Sequence, residues 1–145
     1  MMRTVLMAFL ASIAMSAQAQ TSIRMYAAEN LRPAIDEIAA AYTSARVEAQ
    51  YGSPRLLRDR IAAGERPAVF ASATVEHPHS LTREGLAGPV KRFARDRNAE
   101  YGLVLVDGAG EEAWYFAQFV LSAEGQAILA RHGFSPGASA RVAAK

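Results

Sequence analysis

The stretch AAENLRPAIDEI, residues 27–38, runs from an apolar strand-like segment into an amphipathic one, with a polar Glu29-Asn30 turn between them. The first turn of a helix has N–H groups without intrahelical acceptors and carries a partial positive charge, so such a turn can hold an anion. It can equally do no more than cap the helix, with Asn30 as the N-cap, and the turn by itself fits both roles. The other residues with chemical potential have plain structural uses. His77 and His79 have the alternate spacing of a metal pair, but no further histidine or acidic partner stands at a ligand spacing, and no metal site is assigned. Asp36-Glu37 reads as first-turn acid favoured by the helix dipole, and His132 before Gly133 as a cation at a helix C-terminus. Arg55 and Arg58 can meet an anion or decorate an exposed helix face, while Trp114, Phe116 and Phe119 read as core. Gly108-Ala109-Gly110 lacks the third glycine of a dinucleotide fingerprint. No nucleophile, base and orienting group come together, so the chain is read as a non-enzyme without a cofactor.

The elements that must position these residues follow from periodicity. Residues 23–26 form a short buried strand, and Leu31, Ile35, Ile38, Ala39 and Tyr42 share one face of the following helix. Residues 46–51 alternate as a strand, Ser53 caps a second helix with Pro54 at its first position, Leu57 and Ile61 face inward, and Gly64 ends it. Residues 68–72 are a third strand. Strand, helix, strand, helix, strand predicts a parallel sheet with right-handed crossovers, whose ligands gather at the carboxyl ends of the strands. Asn30 and Ser53 both fall there. A short helix after Pro78 follows, then a strand at 90–95 with charges on one side, and a strand at 101–106 closed by Asp107-Gly108. Helices at 111–121 and from the Ser122 cap to Arg131, stopped by Gly133, complete the pattern. The tail from Ser135 to Lys145 is rich in small residues and is expected to fray. The fold class is α/β, a three-layer domain with a parallel or mixed sheet and flanking helices.

The N-terminus has one charge at Arg3, an apolar run from Val5 to Met15 and a small-x-small signal at Ala17-Gln18-Ala19. This reads as a secretory signal peptide over 1–19, cleaved after Ala19, because the run is too short to cross hydrocarbon. Residues 20–145 then form a single periplasmic domain with no membrane insertion after cleavage. The whole chain has a net charge of +2, and the signal removes one of those charges, which points to neither nucleic acid nor an anionic membrane as a partner. The absence of cysteine excludes a disulfide scaffold, a thiolate metal site and a cysteine nucleophile.

Two longer phrases carry a family resemblance. VEAQYGSPRLLRDRIAAGERPAVFASATVEHPHSLTREGLAGPVKRFARDR resembles the first lobe of the periplasmic molybdate-binding proteins of ABC transporters, and EYGLVLVDGAG with FAQFVLSAEGQAILARHGF resembles their C-terminal segment. The resemblance implies a type II periplasmic binding fold, in which two α/β lobes close on an oxyanion held by neutral hydrogen bonds. In that family the phrase matching RFARDR leads into a second lobe. Here Arg97 is followed by Asn98-Ala99-Glu100-Tyr101, the start of the returning strand, so a domain's worth of chain, on the order of a hundred residues, is absent. Asn30 stands where the family has a serine, and Ser53-Pro54-Arg55 where it is rich in glycine and serine. Pro33 and Pro54 each lack an N–H that an anion could use. The tyrosine that the family supplies from beyond its first lobe has no counterpart, Tyr101 belonging to the returning strand. The implied function is periplasmic binding of a molybdate- or tungstate-like oxyanion for ABC-type uptake, weakened by loss of the second lobe. Its ligand-binding residues are Ala28, Glu29, Asn30, Gly52, Ser53 and Arg55. The implied partners are the small oxyanion and an ABC transporter permease, with a homodimer as one source of a second lobe. The alternative is a remnant or protein-interaction module that retains the lobe fold.

Overall fold

The computed structural model describes residues 21–140. The expected signal peptide and residues 141–145 of the expected frayed tail lie outside them. The chain forms β1 (Ser22–Ala28), a 3-10 turn (Glu29–Leu31), α1 (Arg32–Ala41), β2 (Arg46–Gly52), α2 (Pro54–Ala62) and β3 (Val69–Ser72). It continues with α3 (Glu76–Arg83), β4 (Lys91–Arg95), β5 (Glu100–Leu105), α4 (Glu111–Leu121), α5 (Ala123–Arg131) and β6 (Ser135–Pro136). The six strands make one mixed sheet in the order β2-β1-β3-β5-β4-β6. β1 runs parallel to both β2 and β3, as the alternation of strands and helices predicts, whereas β5, β4 and β6 join antiparallel.

Two hydrophobic layers sandwich the sheet. Ile23, Met25 and Ala27 of β1 pack on one face with Ile35 and Ile38 of α1, Phe116 and Val120 of α4, and Leu129 of α5. Tyr26 points to the other face, where it packs with Leu57 and Ile61 of α2, Leu81 of α3, and Phe70 and Val104. The central strands are therefore covered on both sides, which is why they read as nearly continuous apolar runs. The chain leaves β1 for β2 on one side and then crosses back to β3 on the other. Crossovers in opposite directions put α1 and α2 on opposite faces, so the two helices leave the carboxyl ends of β1 and β2 on opposite sides of the sheet.

Several local expectations differ from the structure. Asn30 does not cap α1: the cap of the 3-10 turn is Ala28, that of α1 is Leu31, and neither makes a side-chain capping bond. Pro33 stands in the first turn of α1 and has no N–H to offer, so the chain enters the helix through the tighter 3-10 turn, with the Arg32 N–H on the Glu29 carbonyl. Asp36 and Glu37 lie beyond the first turn and serve tertiary contacts instead. Tyr51 donates to Asp36 Oδ1 at 2.5 Å, and Arg131 and His132, at the end of α5, both hold Glu37. α3 begins two residues before Pro78, which a first-turn position tolerates because its N–H would be unpaired in any case. Trp114 is 48% exposed and not core, because α4 buries Ala113, Phe116, Ala117 and Val120 and turns Trp114 and Tyr115 outward. The start of the tail is not frayed either. Ser135–Pro136 pairs with β4, and Ser139 exchanges hydrogen bonds with Arg92 through its N–H and its hydroxyl.

Candidate functional site

β1 and β2 are aligned so that Ala28 is the Cα partner of Gly52. Both polar turns therefore leave the sheet at the same edge and side by side. Ala28 is buried at the strand end, while Glu29 and Asn30 are exposed in the 3-10 turn. Gly52 is half-buried, with room for a Cβ at ordinary contact distance from the Leu57 side chain. Ser53 is exposed and caps α2, its Oγ accepting from the Leu56 N–H at 3.2 Å, as its position before Pro54 predicts. Arg55 is exposed in the first turn of α2. The six sequence-predicted residues thus share one edge, with two helical N-termini over the ends of paired strands.

The electrostatics of this edge are mixed. Glu29 is balanced by Arg32 at 2.8 Å, and that guanidinium also lies 4.3 Å over the Tyr51 ring, so Arg32 is committed to its neighbours. β5 starts at the same edge, since Ser72 at the end of β3 faces Gly102. Here Tyr101 and Asp96 enter, two residues that sequence reasoning did not place near the site. Asn30 Nδ2 donates to the Tyr101 hydroxyl at 2.7 Å, and that hydroxyl donates to Asp96 Oδ2 at 2.5 Å. Tyr101 sits in the core against Phe134 and Phe93, so only its hydroxyl reaches the edge. The Tyr101 hydroxyl, followed by the Asn98 and Ala99 N–H groups, holds the Asp96 carboxyl below the ordinary carboxylate range. Burial first, and then the bond to Asp96, pushes the Tyr101 phenol up to about 12. The tyrosine set aside as part of the returning strand is therefore hydrogen-bonded to the first turn. Its only sequence signal is the apolar alternation of β5, which does not say where the hydroxyl ends.

Asp96 also closes the connection between β4 and β5. Its Oδ1 accepts from Asn98 N at 2.8 Å and Ala99 N at 2.9 Å, an Asx-type turn that brings Arg95 and Glu100 into register. The β3–α3 turn lies at this edge too, and the Thr74 hydroxyl in it is buried without a hydrogen-bond partner. The site is a shelf and not a cleft. Three surface concavities of about 360, 190 and 400 Å³ lie elsewhere, and none is lined by the six residues.

A family model described as bacterial extracellular solute-binding protein matches residues 23–99, from β1 through the Asp96–Ala99 turn. The chain belongs to this family. Among solved structures, the solute-binding protein resembles the substrate-binding domain of a candidate molybdenum ABC transporter from Clostridium difficile. The TM-score is 0.68 at 13% identity, over 80% of this chain and 99% of that one. The periplasmic molybdate-binding protein of Azotobacter vinelandii overlaps with a TM-score of 0.46 at 27% identity, over 50% of this chain and 32% of that one. No curated protein matches the sequence. Among the described residues of this solute-binding protein, no helix is long and apolar enough to cross a membrane.

Proposed function

We propose that this solute-binding protein is an exported, one-lobed module, matured by cleavage after Ala19, that binds a tetrahedral oxyanion of the molybdate and tungstate type. The ligand rests on the shelf formed by Ala28, Glu29, Asn30, Gly52, Ser53 and Arg55. The observation that carries this reading is the register of β1 on β2, which sets two helical N-termini side by side at the carboxyl ends of these parallel strands. Support for the ligand class comes from the sequence phrases and from the name of the Clostridium difficile structure that shares the fold. Support for a missing second lobe comes from the sequence phrases, in which Arg97 leads within a few residues into Tyr101 of β5 through the short turn that Asp96 closes.

The affinity is modest. A compact dianion needs several convergent donors in a water-excluded site, and each hydrogen bond to a charged group contributes roughly 1.5–3 kcal/mol. Pro33 and Pro54 remove two backbone donors, and the shelf leaves the rest open to water, so the dissociation constant for molybdate is no tighter than about 10 μM. Thermal-shift measurements with molybdate, tungstate, sulfate and phosphate test the reading, since a ligand that binds only the folded chain must raise its melting temperature. If none of the four raises it at millimolar concentration, the oxyanion reading fails.

One observation favours the second reading, a protein-interaction module. Trp114 and Tyr115 stand about half exposed on α4, with their rings 5.2 Å apart. Adjacent exposed aromatics are a common feature of contact surfaces.

A further inference from the structure

The two borders of the sheet are unlike. β6, at one border, is a strand of two residues that ends on Pro136, while β2, at the other, runs for seven residues without a proline. An open edge of that length presents a row of unpaired backbone groups, which natural sheets commonly shorten, bulge or block. We infer that a second copy of this chain pairs antiparallel with β2 about a two-fold axis at Ala49, joining the two sheets into one.

The direction of the free groups follows from the ladder on the inner side. Arg46 donates its N–H to the Thr21 carbonyl at 2.9 Å, and β2 keeps continuous register with β1 from Arg46 to Gly52. In a parallel ladder alternate residues turn both backbone groups to the same neighbour, so Arg46, Glu48 and Gln50 face β1. Val47, Ala49 and Tyr51 turn theirs outward, where no strand among the described residues meets them. A two-fold axis at Ala49 sets Ala49 opposite its own copy and Val47 opposite Tyr51, and each such pair exchanges both N–H···O bonds. This axis pairs all three outward residues within the strand. An axis at Glu48 would oppose two carboxylates and leave Tyr51 beyond the start of the strand, and one at Gln50 would set Val47 against Ser53, the cap of α2.

The side chains fit the same axis. Glu48 lies opposite Gln50 of the second copy, in a closely spaced pair without backbone bonds. Gln50 Oε1 accepts from Arg60 Nη2 at 3.2 Å, which leaves the Gln50 NH₂ to donate to that carboxylate, with the Arg60 cation behind it. Arg46 falls opposite Gly52, which has no side chain to obstruct it. On the other face Val47 meets Tyr51, a β-branched residue against an aromatic one, and both already pack on the core under α1. No like charges oppose each other. The axis sends the carboxyl ends of the two β2 strands in opposite directions, so the shelves stay apart and open. Such a dimer is not a second lobe, and it stands or falls independently of the oxyanion reading.

Sedimentation and amide exchange on the mature chain test the pairing. Expected is a dimer that dissociates on dilution through about 10–100 μM, as suits a small transient interface. The Val47, Ala49 and Tyr51 amides should exchange rapidly in dilute solution and slowly when concentrated, while those of Glu48 and Gln50, held by β1, stay protected throughout. Ala49→Pro deletes an outward N–H without touching the β1 ladder and should leave a folded monomer. Two variants at exposed side chains carry the test if that one misfolds. Gln50→Glu opposes carboxylates twice in the symmetric pair and should weaken association about tenfold. Adding Glu48→Gln restores a Gln–Glu pair across the axis and should bring association back. A chain that remains monomeric at about 1 mM overturns the inference. So does a dimer whose three outward amides exchange as fast as in dilute solution, or a double variant that associates no better than Gln50→Glu.

Discussion

Restoring one backbone donor at the second turn should tighten oxyanion binding while loosening the protein, and these opposite signs make Pro54→Ala diagnostic. In the first turn of α2 the Leu56 N–H is taken by Ser53 Oγ at 3.2 Å, and the Leu57 N–H closes onto the Ser53 carbonyl at 3.0 Å. Pro54 has none, which leaves the Arg55 N–H as the donor of that turn without an intrahelical acceptor. Alanine at position 54 adds a second N–H at the helix N-terminus. One hydrogen bond to an anion is worth roughly 1.5–3 kcal/mol, or about 10- to 150-fold in affinity. The shelf is open to water, so the low end applies and the gain should be about tenfold. Proline at this position also restricts the unfolded chain, and removing it lowers stability by about 0.4–1 kcal/mol. The ligand-free variant should therefore melt a few degrees lower. Calorimetric titration with the tightest anion of the screen, alongside ligand-free melting curves, measures both effects. A variant that melts lower but binds within about twofold of the wild type would show that the α2 N-terminus does not touch the ligand.

Other substitutions and conditions test the framework around the site. Ser53→Ala removes the side-chain cap of α2 and should cost about 0.5–2 kcal/mol of stability by chemical denaturation, with faster amide exchange in that helix first. Gly125→Ala places a Cβ 2.3 Å from the Phe119 carbonyl oxygen and 2.6 Å from that of Val120, so the α4–α5 corner must shift. A loss of about 1–3 kcal/mol is expected, and an unchanged melting temperature would contradict the geometry. Trp114→Ser should change stability by less than about 0.5 kcal/mol, in contrast to a core tryptophan. Acid should weaken the fold in a defined window. Arg60 and then Tyr26 draw the Glu65 carboxyl down to about 2, and Asp96 and Glu37 are lowered in the same direction. A carboxylate whose folded-state pKa is depressed contributes fully above the ordinary carboxylate range and loses that contribution as pH falls through its folded value. Melting temperatures should thus hold from pH 7 to about 5 and fall from about 4.5 toward 2. A flat profile across that range would refute these pairings.

Much of the architecture was legible in the sequence because it rests on short-range regularities. The short apolar run of β1, the alternation along β2, the helical spacing of Leu31, Ile35 and Ile38, and the caps at Ser53 and Ser122 involve neighbours a few residues apart, and the structure keeps all of them. The order of these elements then required β1, β2 and β3 to lie parallel with their carboxyl ends together, which brought Asn30 and Ser53 to one edge. What Asn30 does at that edge was decided only in three dimensions. A local rule makes it a cap, yet its amide spans 71 positions to Tyr101, whose hydroxyl is held by an aspartate that also forms the β4–β5 turn. Glu37 likewise reads as first-turn acid until α5 brings Arg131 and His132 to it from 94 and 95 positions away. Trp114 reads as core until α4 docks by its Ala113, Phe116 and Val120 face and leaves the indole outside. Periodicity records which face of an element is apolar, whereas a polar side chain's partner depends on which distant strand or helix the packed core sets beside it, and neither pattern nor propensity carries that information.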